Sequence, residues 1–455
     1  MSGERVVATS GALVEYINKP DTHFQWRVLG SRQIDGLNIV DLTMTSQSWS
    51  PDSLKSNHPH WQHRITVYIP VDVKRQPAVL HVNGGVHYGR DNNTTADISD
   101  ELRFEDLATL TGSVVINLRD VPQQYLSLNN EAPRKEDDLV ARSWVASLND
   151  PECSDCPIQF PMVKSVVKAM NAVQELLNER LGSRAPESFI LTGASKRGWA
   201  AWLTSAVDRR VQAVIPMVID VLNVQECLDH LHRVYKGWIP PLQPYLSENQ
   251  NVLTRLHTSE MNQLMSKVDP WFYRDYLTLP KYVVTASGDD FFPPDSSRVY
   301  WSGLMGPKWM RAYPNARHYI SRENIQRVTD TIVSYVNYLV SGQQPPAILS
   351  QNTVGRQVSV TVSGKPDEVK LWQVINPEVR DFRMTTLKPA GLAYQAVPIK
   401  VECGSSERTC VVLARVEAPV KGWKSWFLEF TYKQPSQPDF IITTPVTVIP
   451  DTYSE

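Results

Sequence analysis

Between Ser188 and Ala206 the chain reads Ser-Phe-Ile-Leu-Thr-Gly-Ala-Ser-Lys-Arg-Gly-Trp-Ala-Ala-Trp-Leu-Thr-Ser-Ala. An apolar run of strand length, Phe189 to Leu191, passes through Gly193-Ala-Ser-Lys-Arg-Gly198 into a small-residue segment of helical character. Strand, tight turn and helix, with Ser195 at the apex, lies near the G-x-S-x-G pattern that exposes a nucleophilic serine above a sheet. Such a turn strains the backbone at its serine and needs small neighbours, which Gly193 and Ala194 supply. The second glycine falls one place later, at Gly198. Lys196 and Arg197 follow the serine, so their side chains must point away from the turn or line the site. Gly-x-Ser also occurs by chance in plain strand-to-helix turns. The meaning of Ser195 therefore depends on what surrounds it.

The surroundings predict a βαβ succession. Pro77-Ala-Val-Leu-His-Val-Asn-Gly-Gly85 is a buried strand running into paired glycines, and 98–110 suits a helix. Gly112 to Leu118 is another short strand. Met162, Val166, Met170, Val173, Leu176 and Leu177 share one face of a helix over 160–181. Val211 to Ile219 and Lys281 to Ser287 resume the strands, and Val328 to Tyr338 closes with an amphipathic helix. Strands alternating with helices imply a mainly parallel sheet covered on both faces. A site belongs at the carboxyl ends of its strands, where Gly85, Ser195, Asp220 and Asp289 all fall.

Other segments flank this core. Residues 1 to about 80 read as antiparallel strands, with Trp61, His63, Ile65, Val67 and Ile69 alternating. The cluster His58-Pro-His60-Trp-Gln-His63 invites a metal reading, but alternation sets Trp61 and His63 opposite His60. Asn129 to Asn149, with Glu136-Asp-Asp138 inside it, reads as a charged surface excursion. Residues 221–280 interrupt the alternation and read as a helical insert, either a cap over the site or simple packing. Ser341-Gly-Gln-Gln-Pro-Pro346 reads as a linker. Beyond it, 347–455 shows short strands at regular spacing, the pattern of an immunoglobulin-like β-sandwich. A hydrolase-like domain over 1–340 and a sandwich over 347–455 suit a chain of 455 residues, too long for one ordinary domain.

Charge and cysteines bound the setting. Lys+Arg is 46 and Asp+Glu 48, a net charge of -2, so nothing points to nucleic acid. No run is apolar and long enough for a membrane span. Cys153-Ser-Asp-Cys156 has no second CxxC to complete a zinc site. It reads as a local disulfide or as free thiols. Cys403 and Cys410 flank a polar turn and suit a hairpin bridge, which leaves Cys227 odd. Two such pairs favour an oxidising compartment. Met1-Ser-Gly-Glu-Arg has no apolar stretch behind it, so no signal peptide is visible. Either the protein stays inside, or the sequence is that of a mature chain.

A serine nucleophile needs a histidine base, a carboxylate to orient it and N–H donors for the oxyanion. The chain order expected around such an elbow is serine, acid, histidine. Here Ser195 is followed by Gly288-Asp-Asp-Phe-Phe-Pro-Pro-Asp295 and then by Tyr313-Pro-Asn-Ala-Arg-His318. Of ten histidines, only His318 lies downstream of those acids. Asp289 and Asp290 both remain candidates for the acid. The backbone N–H of Lys196, with one from Gly85 or Val86, is the expected oxyanion hole. No cofactor or metal is called for.

With Gly193-Ala-Ser-Lys-Arg-Gly-Trp199, these two segments resemble the PhoPQ-activated pathogenicity-related protein family, which includes secreted proteins called autocrine proliferation repressors. The resemblance runs over most of 10–450. It implies an α/β-hydrolase with a serine triad, usually exported, in a setting of virulence or antimicrobial-peptide resistance, and it implies no particular substrate. Many relatives carry Glu after the first Asp, so the pair Asp289-Asp290 departs from the pattern; Asp289 matches the family residue. The expectation is an ester- or peptide-cleaving enzyme acting on a small-molecule or peptide substrate. It is secreted or periplasmic, with a cell-surface or protein partner at the sandwich. The alternative is a non-catalytic secreted binding or signalling protein on the same scaffold.

Overall fold

Alternating and continuous apolar patterns divide the first strands into two kinds. The structure, a computed structural model, describes residues 5–73, 76–87, 100–247, 250–403 and 408–453. β1 (Gln25–Ile34), β2 (Leu37–Ser48) and β3 (His60–Pro70) pair antiparallel in succession. Along β3, Trp61, His63, Ile65 and Val67 are buried while His60 is exposed, the period-two pattern of a strand with one covered face. β4 (Ala78–Val82), β5 (Val115–Leu118), β6 (Phe189–Ala194) and β7 (Val211–Met217) are buried almost throughout. Covered on both faces, they lose alternation and read as apolar runs.

β4 pairs parallel with β5 and with β6, and β6 pairs parallel with β7. β5 pairs antiparallel with β3. The strand order is β1-β2-β3-β5-β4-β6-β7. Parallel neighbours need crossovers, and helices supply them. α1 (Ala12–Asn18) precedes the sheet, and α2 (Phe104–Thr111) joins β4 to β5. α3 (Glu136–Asn149) and α4 (Gln159–Leu181) lie between β5 and β6, and α5 (Lys196–Val207) joins β6 to β7. The six apolar residues expected on one face of α4 are all buried.

Contacts divide the chain into two units. One is Met1–Gln225 with Pro240–Lys281 and Gly303–Pro307; the other is Glu226–Ile239 with Tyr282–Ser302 and Lys308–Glu455. The insert over 221–280 contains α6 (Val224–Tyr235) and α7 (Ser259–Val268), and it is shared between the units. In the second unit β8 (Lys281–Ala286) neighbours β9 (Lys308–Tyr313), followed by α8 (Ile320–Glu323) and α9 (Ile325–Ser341).

Two antiparallel sheets complete that unit. One runs β10 (Ile348–Val354), β11 (Gln357–Ser363), β15 (Thr409–Arg415), β14 (Val401–Cys403). The other runs β13 (Gln395–Pro398), β12 (Glu368–Asn376), β16 (Trp423–Gln434), β17 (Gln437–Thr443), with β18 (Thr447–Ile449) on β16. These sheets share a core with the preceding strands. Buried Arg311 of β9 donates to Glu429 of β16 at 2.9 Å, and the Tyr282 hydroxyl donates to the Ile441 carbonyl.

Disulfides join Cys153 to Cys156 and Cys403 to Cys410, and Cys227 is buried. Most of the polar turn between Cys403 and Cys410, and the first residues of the helix expected at 98–110, lie outside the described residues. Among the described residues no helix is long and apolar enough to cross a membrane.

One buried charge cluster ties the second unit together. Asp295 Oδ1 lies 3.0 Å from His230 Nε2, and Arg380 donates to Asp295 Oδ2 at 2.7 Å. His230 Nδ1 lies 3.0 Å from the Tyr453 hydroxyl. Burial alone would raise the Asp295 carboxyl, but His230 and Arg380 hold it well below the usual range. Replacing Asp295 would strand a guanidinium only 1% exposed. Asp295→Ala is expected to cost about 3–5 kcal/mol, read as a lowered midpoint in thermal melts. Asp451→Ala removes only an exposed partner of Arg298 and should shift stability by about 1 kcal/mol or less.

Candidate active site

Ser195 stands at the junction of β6 and α5 with φ 54° and ψ -131°, a strained backbone for any residue but glycine. Its N–H donates to the Met217 carbonyl at 2.9 Å, and its carbonyl accepts from Trp199 N–H at 3.1 Å. The turn is therefore held to β7 on one side and opens the helix on the other. Its glycines are required by contact. A Cβ on Gly198 would stand 2.7 Å from the Gly193 carbonyl oxygen and 2.9 Å from Ile219 Cγ2. A Cβ on Gly193 would stand 2.9 Å from the Arg197 carbonyl. The glycine displaced to 198 is thus the one that lets α5 press onto β6.

Lys196 and Arg197 turn away from the apex, and both are buried. Lys196 Nζ donates to Glu136 Oε2 at 2.8 Å and lies 3.2 Å from Asp137 Oδ2. Arg197 donates to both Glu136 oxygens, at 2.8 and 2.7 Å, and through Nε to the Val121 carbonyl at 2.7 Å. Burial alone would raise Glu136, yet Arg197 and Lys196 hold it well below the usual carboxylate range. Glu136 thus opens α3, a helix with a largely buried face, where a surface excursion was expected. The stretch looked solvated because its acids are adjacent, but Glu136 serves two buried cations. The signal was available at the other end: buried Lys196-Arg197 in an apolar segment demands a counter-charge. Gln124, which also reaches Glu136 at 2.7 Å, carried no such signal.

The strand-end glycines sit after β4. Gly85 has φ +152°, and a Cβ there would stand 2.1 Å from Asp120 Oδ1. Asp120 is fully buried and receives Arg64 through Nε at 2.9 Å and Nη2 at 2.7 Å. Burial opposes its ionisation, but Arg64 and His87 bring its pKa down to about 2. The Asp120 N–H donates to the Gly84 carbonyl at 3.0 Å, so this ion pair also holds the glycine loop. Val86 follows directly. Asp220 is buried just past β7.

In the second unit, buried His318 places Nδ1 3.0 Å from each oxygen of Asp289. Asp289 Oδ1 also accepts the Phe291 N–H at 2.7 Å, and the Phe291 ring lies 4.2 Å from that of His318. Asp290 turns elsewhere, accepting Arg317 Nε at 3.0 Å. Of the two adjacent aspartates, Asp289 is therefore the one hydrogen-bonded to the imidazole. Ser195, Lys196, Gly85 and Val86 belong to the first unit, and Asp289 and His318 to the second.

The remaining histidines of interest have packing partners. His60 stacks on His23 with rings 4.3 Å apart, His63 Nε2 lies 2.9 Å from Ser46 Oγ, and His232 packs edge-on to Trp238. Among the described residues no group of three or more His, Cys, Asp or Glu side chains is placed to hold a metal ion.

A parallel sheet with crossover helices and a strained serine between strand and helix defines an α/β-hydrolase fold. Residues 13–383 match the PhoPQ-activated pathogenicity-related protein family, and the chain belongs to it. Autocrine proliferation repressor protein A of Dictyostelium discoideum is 30% identical over 461 residues, spanning 97% of this chain and 91% of that protein. Solved structures are far more distant. Acetyl xylan esterase 1 from Thermoanaerobacterium sp. JW/SL YS485 is 13% identical, with TM-score 0.47 over 74% of this chain and 96% of that one. Pyrococcus horikoshii acylaminoacyl peptidase is 13% identical, with TM-score 0.38 over 71% and 43%.

The elbow's packing is directly testable. Gly198→Ala is expected to destabilise the protein by about 1–3 kcal/mol, since the new methyl meets backbone. Gly30→Ala, where a Cβ meets nothing within 4 Å, should stay within about 0.5 kcal/mol. Thermal melts of the two variants compare these directly.

Proposed function

We propose that this protein is a serine hydrolase that cleaves an ester or amide bond, with Ser195 as nucleophile, His318 as base and acid, and Asp289 as orienting carboxylate. The observation that carries the reading is the Asp289–His318 pair. Its Nδ1 is bonded to the carboxylate, which leaves Nε2 to accept a proton. The strained elbow at Ser195 and the family membership support it.

In this reading Ser195 Oγ attacks the acyl carbon while His318 Nε2 takes its proton. Asp289 stabilises the imidazolium that forms. The N–H of Lys196, with that of Gly85 or Val86, receives the negative charge on the carbonyl oxygen. The intermediate collapses as His318 returns the proton to the leaving group. Water then repeats the cycle on the acyl-enzyme and frees Ser195. The substrate is a small molecule or a peptide, and the family's description as pathogenicity-related supports a setting near virulence. Two disulfides favour an oxidising compartment, so we place the protein outside the cytoplasm, secreted or periplasmic. We read the two C-terminal sheets as an immunoglobulin-type sandwich open to a cell-surface or protein partner.

The name of the Dictyostelium relative, a proliferation repressor, favours a second reading: a non-catalytic signalling protein on this scaffold. A fluorophosphonate probe separates the two. Wild type should label and Ser195→Ala should not; labelling of both, or of neither, sinks the hydrolase reading. Asp289→Asn is expected to lower kcat by about 10⁴-fold, whereas Asp290→Asn should change it by less than about tenfold, since only an ion pair with exposed Arg317 is lost. Steady-state kinetics on p-nitrophenyl acetate would show the difference, and the reverse ranking would move the orienting role to Asp290.

A further inference from the structure

We propose that Glu136, acting with Gln124, is a positioning residue that locks the two halves of the oxyanion hole to each other; the inference rests on the hydrolase reading above. The two N–H donors come from separate segments, the first turn of α5 at Lys196 and the glycine loop after β4. Both lie in the first unit. β4 and β6 pair in the sheet as far as Val82 and Gly193; beyond that register the two segments leave the sheet, and side chains hold their final spacing. An oxyanion hole loses most of its effect when a donor is misplaced, because its advantage is preorganisation.

The Glu136 carboxylate is saturated. Oε1 accepts Gln124 Nε2 at 2.7 Å and Arg197 Nη2 at 2.7 Å, and Oε2 accepts Lys196 Nζ at 2.8 Å and Arg197 Nη1 at 2.8 Å. The two side chains that follow the apex are thereby anchored to one partly buried anion. Gln124 carries the link onward. Its Nε2 also donates to the Gly85 carbonyl at 2.8 Å, and its Oε1 accepts the Glu136 N–H at 2.9 Å. Both amide hydrogens and the amide oxygen are committed, which fixes how the side chain points. The backbone of Gln124 accepts His87 N–H at 3.0 Å, gripping the loop two residues beyond Gly85. Arg197 adds a parallel tie. Its Nε holds the Val121 carbonyl, while Val121 N–H donates to Asn83 and Asp120 N–H to Gly84.

The charges make this a clamp rather than a surface pairing. Burial alone would lower Lys196, but Asp137 and Glu136 keep it above its ordinary value. Glu136 is held below its ordinary value and Lys196 and Arg197 above theirs, so these three stay ionised through the neutral range. A carboxylate that only balanced charge would have no need of Gln124. The bridge from Glu136 through Gln124 to the Gly85 carbonyl connects the catalytic backbone of one segment to that of the other.

The test compares wild type, Glu136→Gln and Gln124→Leu, each checked by thermal melt, after Ser195→Ala has established that probe labelling and p-nitrophenyl acetate turnover require the serine. Glu136→Gln is expected to lower kcat by about 10²-fold with KM held within about twofold. Affinity for a trifluoromethyl ketone, whose adduct carries the oxyanion, should fall in step with kcat/KM. Gln124→Leu keeps the charges and removes the bridge, and should lower kcat by about tenfold with the same KM. It decides alone if Glu136→Gln does not fold. Wild-type kcat and ketone affinity in a folded variant, or a rise in KM at constant kcat, overturn the proposal. A wild type that neither labels nor turns over overturns the hydrolase reading instead, and the clamp with it.

Discussion

The first unit depends on one close approach, that of α5 onto β6 at Gly193 and Gly198. Gly198 stands where a Cβ would lie 2.7 Å from the Gly193 carbonyl, so the helix starts flush against the strand that feeds it. This contact has two consequences. It turns the chain sharply enough to leave Ser195 at φ 54°, a conformation that only strong surrounding constraint maintains. It also brings Lys196 and Arg197 into the interior, because the first turn of a helix seated this closely has no solvent face. A carboxylate within reach of these two cations then becomes obligatory, and Glu136, partly buried at the start of α3, supplies it. The polar cluster beneath the elbow follows from the backbone geometry above it.

Much of this order is readable without coordinates. The βαβ succession follows from apolar runs alternating with helical periodicity, and the α4 face was legible residue by residue, since 3.6-residue spacing leaves little freedom. The elbow was legible because small residues cluster where backbone crowds backbone. Other features left no such trace. β10 is exposed along nearly all its length, so its Ser-Gln-Asn-Thr stretch carries neither alternation nor apolar character. The stretch Val397 to Val401 reads as one strand, yet it divides into β13 and β14, which belong to different sheets. The helix α3 was hidden because its first turn holds Glu136, Asp137 and Asp138. Acids at a helix N-terminus complement the helix dipole, and that reading competes on equal terms with a solvated loop when only composition is weighed.

Buried and partly buried ion pairs recur in this chain, and they divide by what they hold. Arg311–Glu429 and the Asp295 cluster join segments far apart in sequence within the second unit. Arg64–Asp120 and Glu136 with Lys196 and Arg197 instead bracket the backbone on either side of Gly85 and Ser195. Desolvation makes such pairs costly, and a hydrophobic replacement can match them for stability. What a hydrophobic replacement lacks is direction. A guanidinium that meets two carboxylate oxygens in a plane fixes angle as well as distance.

The same logic sorts the two aspartates that sequence left side by side. Successive residues leaving β8 cannot share an environment, because the chain turns between them. Asp289 bends back onto its own backbone, accepting the Phe291 N–H at 2.7 Å. That bond holds its carboxylate square to the imidazole, with both oxygens 3.0 Å from Nδ1. Asp290 leaves in the other direction and meets Arg317, an arginine about half exposed. Both carboxylates are buried; one lies against a single histidine and is oriented by a local turn, while the other pairs with a half-exposed arginine. Side-chain chemistry alone makes the two equivalent; the difference lies in which oxygen the Phe291 amide can reach, a property of the turn that Gly288 opens with its own N–H on the Ala316 carbonyl. Asp289 is set against His318 by backbone hydrogen bonding two residues away, at the Phe291 amide, so the turn and not the carboxylates themselves separates the two aspartates.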